Sequence, residues 1–205
     1  MTSVQESPSR STDVSSAEIP AFDNLPPRAL TRQELRELVT TIADDPAAWQ
    51  QHVAYDDEHR HYVCLHRDAN VDVWVLCWTP SNDTGWHDHD VSSGAVAVAH
   101  GEVVEHNLVV GSAALEVQVP AGQSFSFGPD HIHRMTGVAD GSVSIHAYSP
   151  PLWRMGQYAI SSTGSCAGPR SPTRTSCGRS TSPSRRTRNV CGTLRFSPEN
   201  RIEDV

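Results

Sequence analysis

The sequence predicts a mainly β fold, a barrel or double-sheet roll with short helices at its N-terminal end. Two observations favour this class. Apolar residues follow a helical period only between residues 31 and 49, whereas from 61 to 149 they fall in short strand-like runs separated by turn residues. Six or more short strands at such spacing are typical of all-β barrels and double-sheet rolls. A length of 205 residues suits one such domain with tails.

The first helix is predicted from a capping box. Thr31 precedes it and Glu34 follows three residues later, so each side chain can bond the backbone N–H of the other. The proline of Asp45-Pro46 ends this helix and can begin a short second one. The apolar residues of the first helix share one face, which we expect to be buried: Leu35, Leu38, Val39 and Ile42.

The strands are predicted from runs rich in β-branched and aromatic residues. Glycine, asparagine and aspartate separate the runs, and these residues favour tight turns. His100-Gly101 divides the longest run into two strands. In chain order the runs are HYVCLHR, VDVWVLCW, GAVAVAHGEVVEHNLVV, AALEVQVP, QSFSFGP and GSVSIHAYS.

Both ends of the chain are predicted to be disordered. The chain is thus divided into an N-terminal tail at 1–22, a domain at 23–156 and a C-terminal tail at 157–205. The N-terminal tail is rich in Ser, Thr and Pro and has no apolar period. The C-terminal tail carries eight arginines against three acidic residues, whereas 1–156 carries eight arginines against 21 acidic residues. A basic arm for nucleic acid is one interpretation; we favour a tail without that partner, because neither aromatic residues nor a helical pattern accompanies the charge. A shifted coding frame is a further hypothesis for this tail, since the chain has no lysine.

No segment has the apolar core of a signal peptide or the length to span a bilayer. We therefore expect a cytoplasmic monomer with no membrane partner. The five cysteines show no paired spacing, so no disulfide framework is expected. Cys64 and Cys77 stand in strand-like runs and are predicted to be buried thiols.

Two His-x-His pairs are the strongest candidates for a metal site. His87 and His89 stand two apart, and residues two apart in a strand face the same side. His131 and His133 form a second pair about 44 residues later. One pair alone is equally well explained by solvation. Two pairs, each beside a turn, favour a divalent metal held from two distant segments.

The stretch GWHDHDVSSGAVAVAHGEVVE resembles the first motif of the cupins. The glutamate ligand usual in that motif is missing, because Ser93 and Gly94 stand four and five residues after His89. A cupin without this carboxylate, followed by IHRM and then SVSIHAYSPP, is similar to the cysteine dioxygenase family of thiol dioxygenases. The resemblance covers about residues 55–156 and implies a cupin-type β-barrel.

The resemblance also implies roles for single residues. Gly94 stands where animal members have the cysteine that cross-links to tyrosine, so no thioether is expected here. His131 remains a rival third ligand, because the second cupin motif is irregular. The implied ligands of Fe(II) are His87, His89 and His133. The implied relay consists of Ser144, His146 and Tyr148. These three residues alternate along one predicted strand, so their side chains can all face inward.

The implied substrates are a small thiol and O₂, with L-cysteine oxidised to cysteine sulfinate. Three neutral imidazoles add no negative charge, which suits an anionic thiolate ligand. The family's carboxylate-binding arginine corresponds to Arg60, with Arg67 a weaker candidate, and a planar guanidinium matches a carboxylate bidentately. Dioxygenation of 3-mercaptopropionate and a non-catalytic metal-binding cupin are the alternatives.

Overall fold

The computed structural model describes residues 19–109 and 112–159. Within them, ten strands form two five-stranded antiparallel sheets, and the helices are short and precede the strands. The predicted mainly β fold is therefore confirmed. The elements are α1 (Arg32–Ala43), α2 (Pro46–Trp49), β1 (Tyr62–Arg67), β2 (Asp72–Trp78), β3 (Trp86–His87), β4 (Ser93–His100), β5 (Glu102–Asn107), β6 (Leu115–Pro120), β7 (Ser124–Phe127), β8 (His133–Gly137), β9 (Ser142–Ser149) and β10 (Gln157–Tyr158), with 3₁₀ turns at Pro20–Phe22 and Gln50–His52.

Helix α1 begins as its capping box predicts. The Glu34 N–H donates to Thr31 Oγ1 at 3.3 Å, and the Thr31 N–H donates to Glu34 Oε2 at 2.8 Å. The Asp45 side chain caps α2 by accepting from the Ala47 N–H at 3.1 Å. The predicted apolar face of α1 is buried and packs across β4, β7 and β9. One sheet is thus covered by a helix on its outer face.

The strand order is β1-β2-β9-β4-β7 in the helix-covered sheet and β10-β3-β8-β5-β6 in the other. Two apolar cores result, one between the helices and the first sheet and one between the two sheets. Alternate residues of β9 contribute to the two cores. Val143, Ile145 and Ala147 face the helices, so Ser144, His146 and Tyr148 face the space between the sheets. Every residue of β9 is buried, because β9 is the central strand of its sheet.

Three short strands were not predicted. Strand β8 reads HRMTG and lacks an apolar pattern, and β3 and β10 have two residues each. His87 ends β3, whereas His89 lies beyond it, next to a turn in which Asp90 has a φ of 52°. The two histidines therefore do not share one strand. Their rings nonetheless converge, with centroids 4.9 Å apart.

The prediction for Cys64 is wrong, because its thiol is exposed while that of Cys77 is buried. Strand β1 is the edge of its sheet, and its alternating outer residues meet solvent. A strand-like run alone does not tell an edge strand from a central one.

The packed unit extends beyond 23–156 at both described ends. Phe22 stacks on His66 with ring centroids 4.5 Å apart, and Tyr158 of β10 pairs with Trp86 of β3. The remainder of both predicted tails, together with Cys166, Cys177 and Cys191, lies outside the described residues. In the described part of the chain, no helix combines the length and apolarity needed to cross a membrane.

Candidate metal centre and active site

Three histidines meet between the sheets. His87 and His133 stand directly opposite each other in the β3–β8 pairing, and His89 joins them from the segment after β3. One ring nitrogen of each lies within 4.8 Å of those of the other two, and all three residues are buried. The structure thus brings together the three residues that the resemblance implies as ligands.

The ring nitrogens of this trio are suited to a metal. His87 Nδ1 lies 3.0 Å from the carbonyl of Gly85, which can only accept, so Nδ1 carries the proton and Nε2 keeps a lone pair. Neither nitrogen of His89 has a hydrogen-bond partner among the described residues, although both are buried. Burial lowers the pKa of His87 to about 3 and lowers those of His89 and His133 as well. Neutral imidazoles with unshared lone pairs are what a divalent metal requires.

Glu105 is a site residue that the sequence reasoning missed. Its Oε1 accepts from His133 Nδ1 at 2.8 Å, which directs the other nitrogen of His133 toward the trio. Its Oε2 accepts from Asn107 Nδ2 at 3.2 Å. Burial alone would raise the pKa of Glu105, but hydrogen bonds from His131 and His133 outweigh it and hold that pKa at about 2. The sequence does contain a signal for Glu105. It stands two positions after Val103 on the same strand, so both side chains face the space between the sheets.

His131 lies outside the trio. Its Nε2 is 2.9 Å from Glu105 Oε1, and its ring stacks on Phe127 with centroids 5.1 Å apart. Glu105, His131 and His133 also present ligand atoms within 4.8 Å of one another. In that group, however, the histidine nitrogens are engaged in hydrogen bonds to the carboxylate, whereas His87 and His89 present unengaged nitrogens.

Glu105→Gln is expected to weaken metal binding by roughly ten- to a hundredfold, because the neutral amide no longer fixes the His133 ring with a full charge. The measurement is iron retained per chain after anaerobic dialysis against a graded chelator. Glu116→Gln is the matched control. Glu116 also lies beside a histidine, since its Oε1 is 3.4 Å from His106 Nδ1, but His106 is not one of the proposed ligands and Glu116 is exposed. Equal retention in the two variants would contradict the orienting role of Glu105.

Ser144, His146 and Tyr148 form one hydrogen-bonded chain. Ser144 Oγ lies 2.8 Å from His146 Nε2, and His146 Nδ1 lies 3.1 Å from the Tyr148 hydroxyl. Burial lowers the pKa of His146 and raises that of Tyr148, so the imidazole is neutral and the phenol protonated. The Tyr148 ring stacks on His89 with centroids 5.3 Å apart, which places the end of this chain beside the trio.

Arg60 and Arg67 occupy different surroundings. The Arg60 guanidinium lies 4.8 Å above the Trp78 ring, and its Nε is buried without a hydrogen-bond partner among the described residues. The Trp78 ring also neighbours His146, with ring centroids 6.3 Å apart, so Arg60 lies near the hydrogen-bonded chain. Arg67 instead pairs with buried Asp72 at 3.3 Å. The structure therefore brings Arg60, and not Arg67, to the site.

Gly94 is tightly enclosed. It stands opposite Tyr148 in the β4–β9 pairing and opposite Phe127 in the β4–β7 pairing. A Cβ at this position would lie 2.4 Å from the Phe127 ring and 3.1 Å from the Tyr148 ring. Phe127 also contacts His89, with ring centroids 4.6 Å apart. The aromatic ring thus fills the space between Gly94 and the trio, and any Cβ at position 94 would require the ring to shift.

Gly94→Ala is expected to destabilise the domain by about 1–3 kcal/mol, the usual cost of overpacking a well-packed core. Equilibrium unfolding in urea gives the change in the free energy of unfolding. Gly128→Ala is the control, because a Cβ there meets no atom within 4 Å. If both variants unfold at the same urea concentration, the close packing around Gly94 does not contribute to the free energy of unfolding.

Comparison with solved structures returns proteins of low sequence identity, and the three described next each match about half of this chain. A protein from Thermus thermophilus is 14% identical with a TM-score of 0.45 over 50% of this chain and 93% of its own. A protein with a double-stranded β-helix domain from Klebsiella pneumoniae is 16% identical with a TM-score of 0.44 over 49% and 85%. An RmlC-like cupin protein from Desulfovibrio desulfuricans is 19% identical with a TM-score of 0.42 over 48% and 90%.

Comparison with protein families gives a more extensive match. The family described as cysteine dioxygenase type I matches residues 22–161. That range is more than half of the 205 residues and includes the histidine trio, the Ser144–Tyr148 chain and Arg60. The chain therefore belongs to the cysteine dioxygenase type I family.

Proposed function

We propose that this chain is an iron(II)-dependent thiol dioxygenase that oxidises L-cysteine to cysteine sulfinate. The observation that carries the proposal is Arg60, a half-buried cation whose Nε is buried without a hydrogen-bond partner and which forms no ion pair with any carboxylate of the described residues. The Trp78 ring beneath its guanidinium lies beside His146, with ring centroids 6.3 Å apart, so Arg60 borders the same site. A buried N–H without an acceptor is costly, and an anionic substrate group would supply that acceptor.

His87, His89 and His133 would hold the iron. Their three neutral nitrogens suit a borderline divalent metal, and no carboxylate belongs to the trio. When bound, Fe(II) would supply open coordination positions for a thiolate and O₂ and a redox-active centre through which electrons pass from the thiolate to O₂. An all-imidazole trio leaves the charge of the metal to be balanced by an anionic ligand, which a thiol provides once it loses its proton.

Arg60 would bind and orient the substrate carboxylate. A guanidinium presents two parallel N–H donors that match the two carboxylate oxygens. The Trp78 ring under the guanidinium holds its plane, since the two lie 4.8 Å apart. A compact amino acid held at this end by its carboxylate can direct its thiol toward the trio, which supports cysteine over thiols that lack the carboxylate.

Tyr148 would act on the substrate as a hydrogen-bond donor. Burial raises its pKa, so it keeps its proton and can stabilise negative charge on the bound sulfur or on the oxygens being transferred. His146 and Ser144 fix the position of the hydroxyl. In the overall reaction both atoms of O₂ end on sulfur, and the thiol supplies all four electrons, so no external reductant is required.

The proposed catalytic unit is the domain predicted at 23–156. Every residue given a role above lies within it and outside the predicted tails 1–22 and 157–205. We propose no nucleic-acid partner for the basic tail.

Oxygen uptake on a panel of small thiols tests the proposal. The chain is loaded anaerobically with Fe(II) and then given L-cysteine, 3-mercaptopropionate or cysteamine, with sulfinate measured by mass spectrometry. The expected result is the highest kcat/KM for cysteine and one sulfinate formed per O₂. A preference for 3-mercaptopropionate would overturn the cysteine assignment, and iron binding without uptake on any thiol would indicate a non-catalytic metal-binding cupin.

A further inference from the structure

We propose that residues 156–158 position His89 for the metal, and that they act through the carboxylate of Asp88. The inference rests on the proposed function in one respect, the binding of a divalent metal by the histidine trio. Tyr158 is thereby assigned as a positioning residue, because it contacts neither substrate nor metal and acts through Asp88. Asp88 together with residues 156–158 is called the clamp below.

His89 lacks the hydrogen bond that orients each of the other two ligands. The Gly85 carbonyl lies 3.0 Å from His87 Nδ1, and Glu105 Oε1 lies 2.8 Å from His133 Nδ1. Among the described residues, neither ring nitrogen of His89 has such a partner. Partners of this kind normally fix the ring of a metal-binding histidine. Something else must therefore hold His89.

Aromatic packing alone does not supply that constraint. The His89 ring stacks on Tyr148 with centroids 5.3 Å apart and contacts Phe127 with centroids 4.6 Å apart. Apolar contact is not directional, whereas a metal–nitrogen distance has to be correct to about 0.2 Å. The position of the backbone that carries His89 therefore decides where its nitrogens lie.

The backbone at His89 lies outside the strands. Strand β3 ends at His87, and Asp90 has a φ of 52° in the turn that follows. The Ser92 N–H closes this turn on the His89 carbonyl at 3.0 Å. The turn fixes the chain after His89, so the chain before it depends on Asp88.

Four hydrogen bonds fix Asp88. Its N–H donates to the Gly156 carbonyl at 3.0 Å, and its Oδ1 accepts from the Gly156 N–H at 2.9 Å. The same Oδ1 accepts from the Asp90 N–H at 3.1 Å, and Oδ2 accepts from the Tyr158 hydroxyl. Both carboxylate oxygens are thus engaged, three of the four bonds come from residues 156–158, and the fixed residue directly precedes His89.

Gly156 and β10 bring the clamp against the ligand segment. A Cβ at Gly156 would lie 2.8 Å from each carboxylate oxygen of Asp88, so glycine permits the close approach. Strand β10 follows at once and pairs with β3, with Gln157 opposite His87 and Tyr158 opposite Trp86. Residues 156–158 therefore meet the segment that carries two of the three ligands.

Tyr158→Phe removes the hydroxyl of the clamp and keeps the ring. Tyr55→Phe is the matched control, because the Tyr55 hydroxyl also joins two distant segments by donating to the Gly141 carbonyl at 2.7 Å. Neither Tyr55 nor Gly141 belongs to the trio or to the Ser144–Tyr148 chain. Unfolding in urea shows whether the two substitutions cost similar stability.

The test measures how fast cobalt(II) leaves the full chain, since sites of nitrogen ligands bind cobalt as well as iron. The loaded protein is mixed with excess chelator, and the visible absorbance of bound cobalt is followed without substrate. Tyr158→Phe is expected to release cobalt about tenfold faster than the parent, at the lower end of the loss that follows removal of an outer partner. Tyr55→Phe is expected to release it at the parental rate. Equal rates in Tyr158→Phe and Tyr55→Phe would overturn the proposal.

Two further variants test whether Tyr158 acts through Asp88. In an Asp88→Ala background, Tyr158→Phe is expected to have no further effect on release; effects that multiply would contradict the proposed route. Gly156→Ala keeps every side chain of the clamp but pushes on the carboxylate, so it is expected to accelerate release as well. Parental release from Gly156→Ala would contradict the clamp even if Asp88→Ala failed to fold.

The outcomes separate this inference from the proposed function. Cobalt retained by the parent, together with no oxygen uptake by the iron-loaded protein, would count against the dioxygenase function only. Parental release rates in the clamp variants of a protein that oxidises cysteine would count against the clamp only. A parent that binds no cobalt would overturn both, because the histidine trio would then not be a metal site.

Discussion

Replacing His87, His89 or His133 by alanine is expected to remove bound iron and oxygen uptake together while the domain stays folded. Each residue supplies one of three converging nitrogens, and the remaining two cannot complete one face of the metal. The fold does not depend on the trio, because two apolar cores stabilise the sheets. Iron per chain after desalting and circular dichroism in the near and far ultraviolet measure the two effects separately.

His131→Ala is the control for this series. His131 donates to Glu105 and stacks on Phe127 outside the trio, so this variant is expected to keep its iron. If His131→Ala lost the metal and His133→Ala retained it, the third ligand would be His131 and the proposed site would have to be rebuilt around Glu105.

Arg60→Lys is expected to raise the KM for cysteine by about tenfold or more, because one donor of the carboxylate fork is lost and charged hydrogen bonds are worth roughly 1.5–3 kcal/mol each. Lysine also lacks the plane that lies over the Trp78 ring. Steady-state oxygen uptake at varied cysteine concentration gives KM and kcat. Cysteamine has no carboxylate, so its slower oxidation is expected to be unaffected by the change.

Arg67→Lys provides a matched comparison. Arg67 also lies over a tryptophan of β2, with its guanidinium 5.1 Å from the Trp74 ring, but it pairs with buried Asp72 rather than facing the trio. Its replacement by lysine is expected to leave the KM for cysteine unchanged. An equal effect of both substitutions on KM, or none from Arg60→Lys, would place the carboxylate elsewhere.

The elements that the sequence predicts well are those set by local interactions. The capping box of Thr31 and Glu34 and the apolar face of α1 depend on residues three or four apart, and alternation reveals the long strands. Strands β3 and β8 are different. Their pairing places His87 opposite His133 across 46 positions of sequence, and neither strand has an apolar pattern of its own. Only the resemblance to a known family indicated which histidine of the second pair joins the first.

Contacts between segments that are distant in sequence account for what was missed. Glu105 resembled one more polar residue of a surface strand, because its partners His131 and His133 come from another segment. Cys64 was misassigned for the same reason, as its exposure depends on β1 having a neighbour on one side only.

The fit of Phe127 against Gly94 also constrains how this sequence can evolve. A cysteine at position 94 could approach Tyr148, yet its Cβ would lie 2.4 Å from the Phe127 ring as it now stands, so that single mutation is expected to displace the ring and destabilise the domain before any cross-link forms. Shrinking Phe127 first would open a gap beside His89, which the ring now contacts. Either order of mutation passes through an impaired intermediate. Descendants of this chain are therefore expected to inherit glycine and phenylalanine as a linked pair, and lineages with a cysteine at this position to carry a smaller residue in place of the phenylalanine.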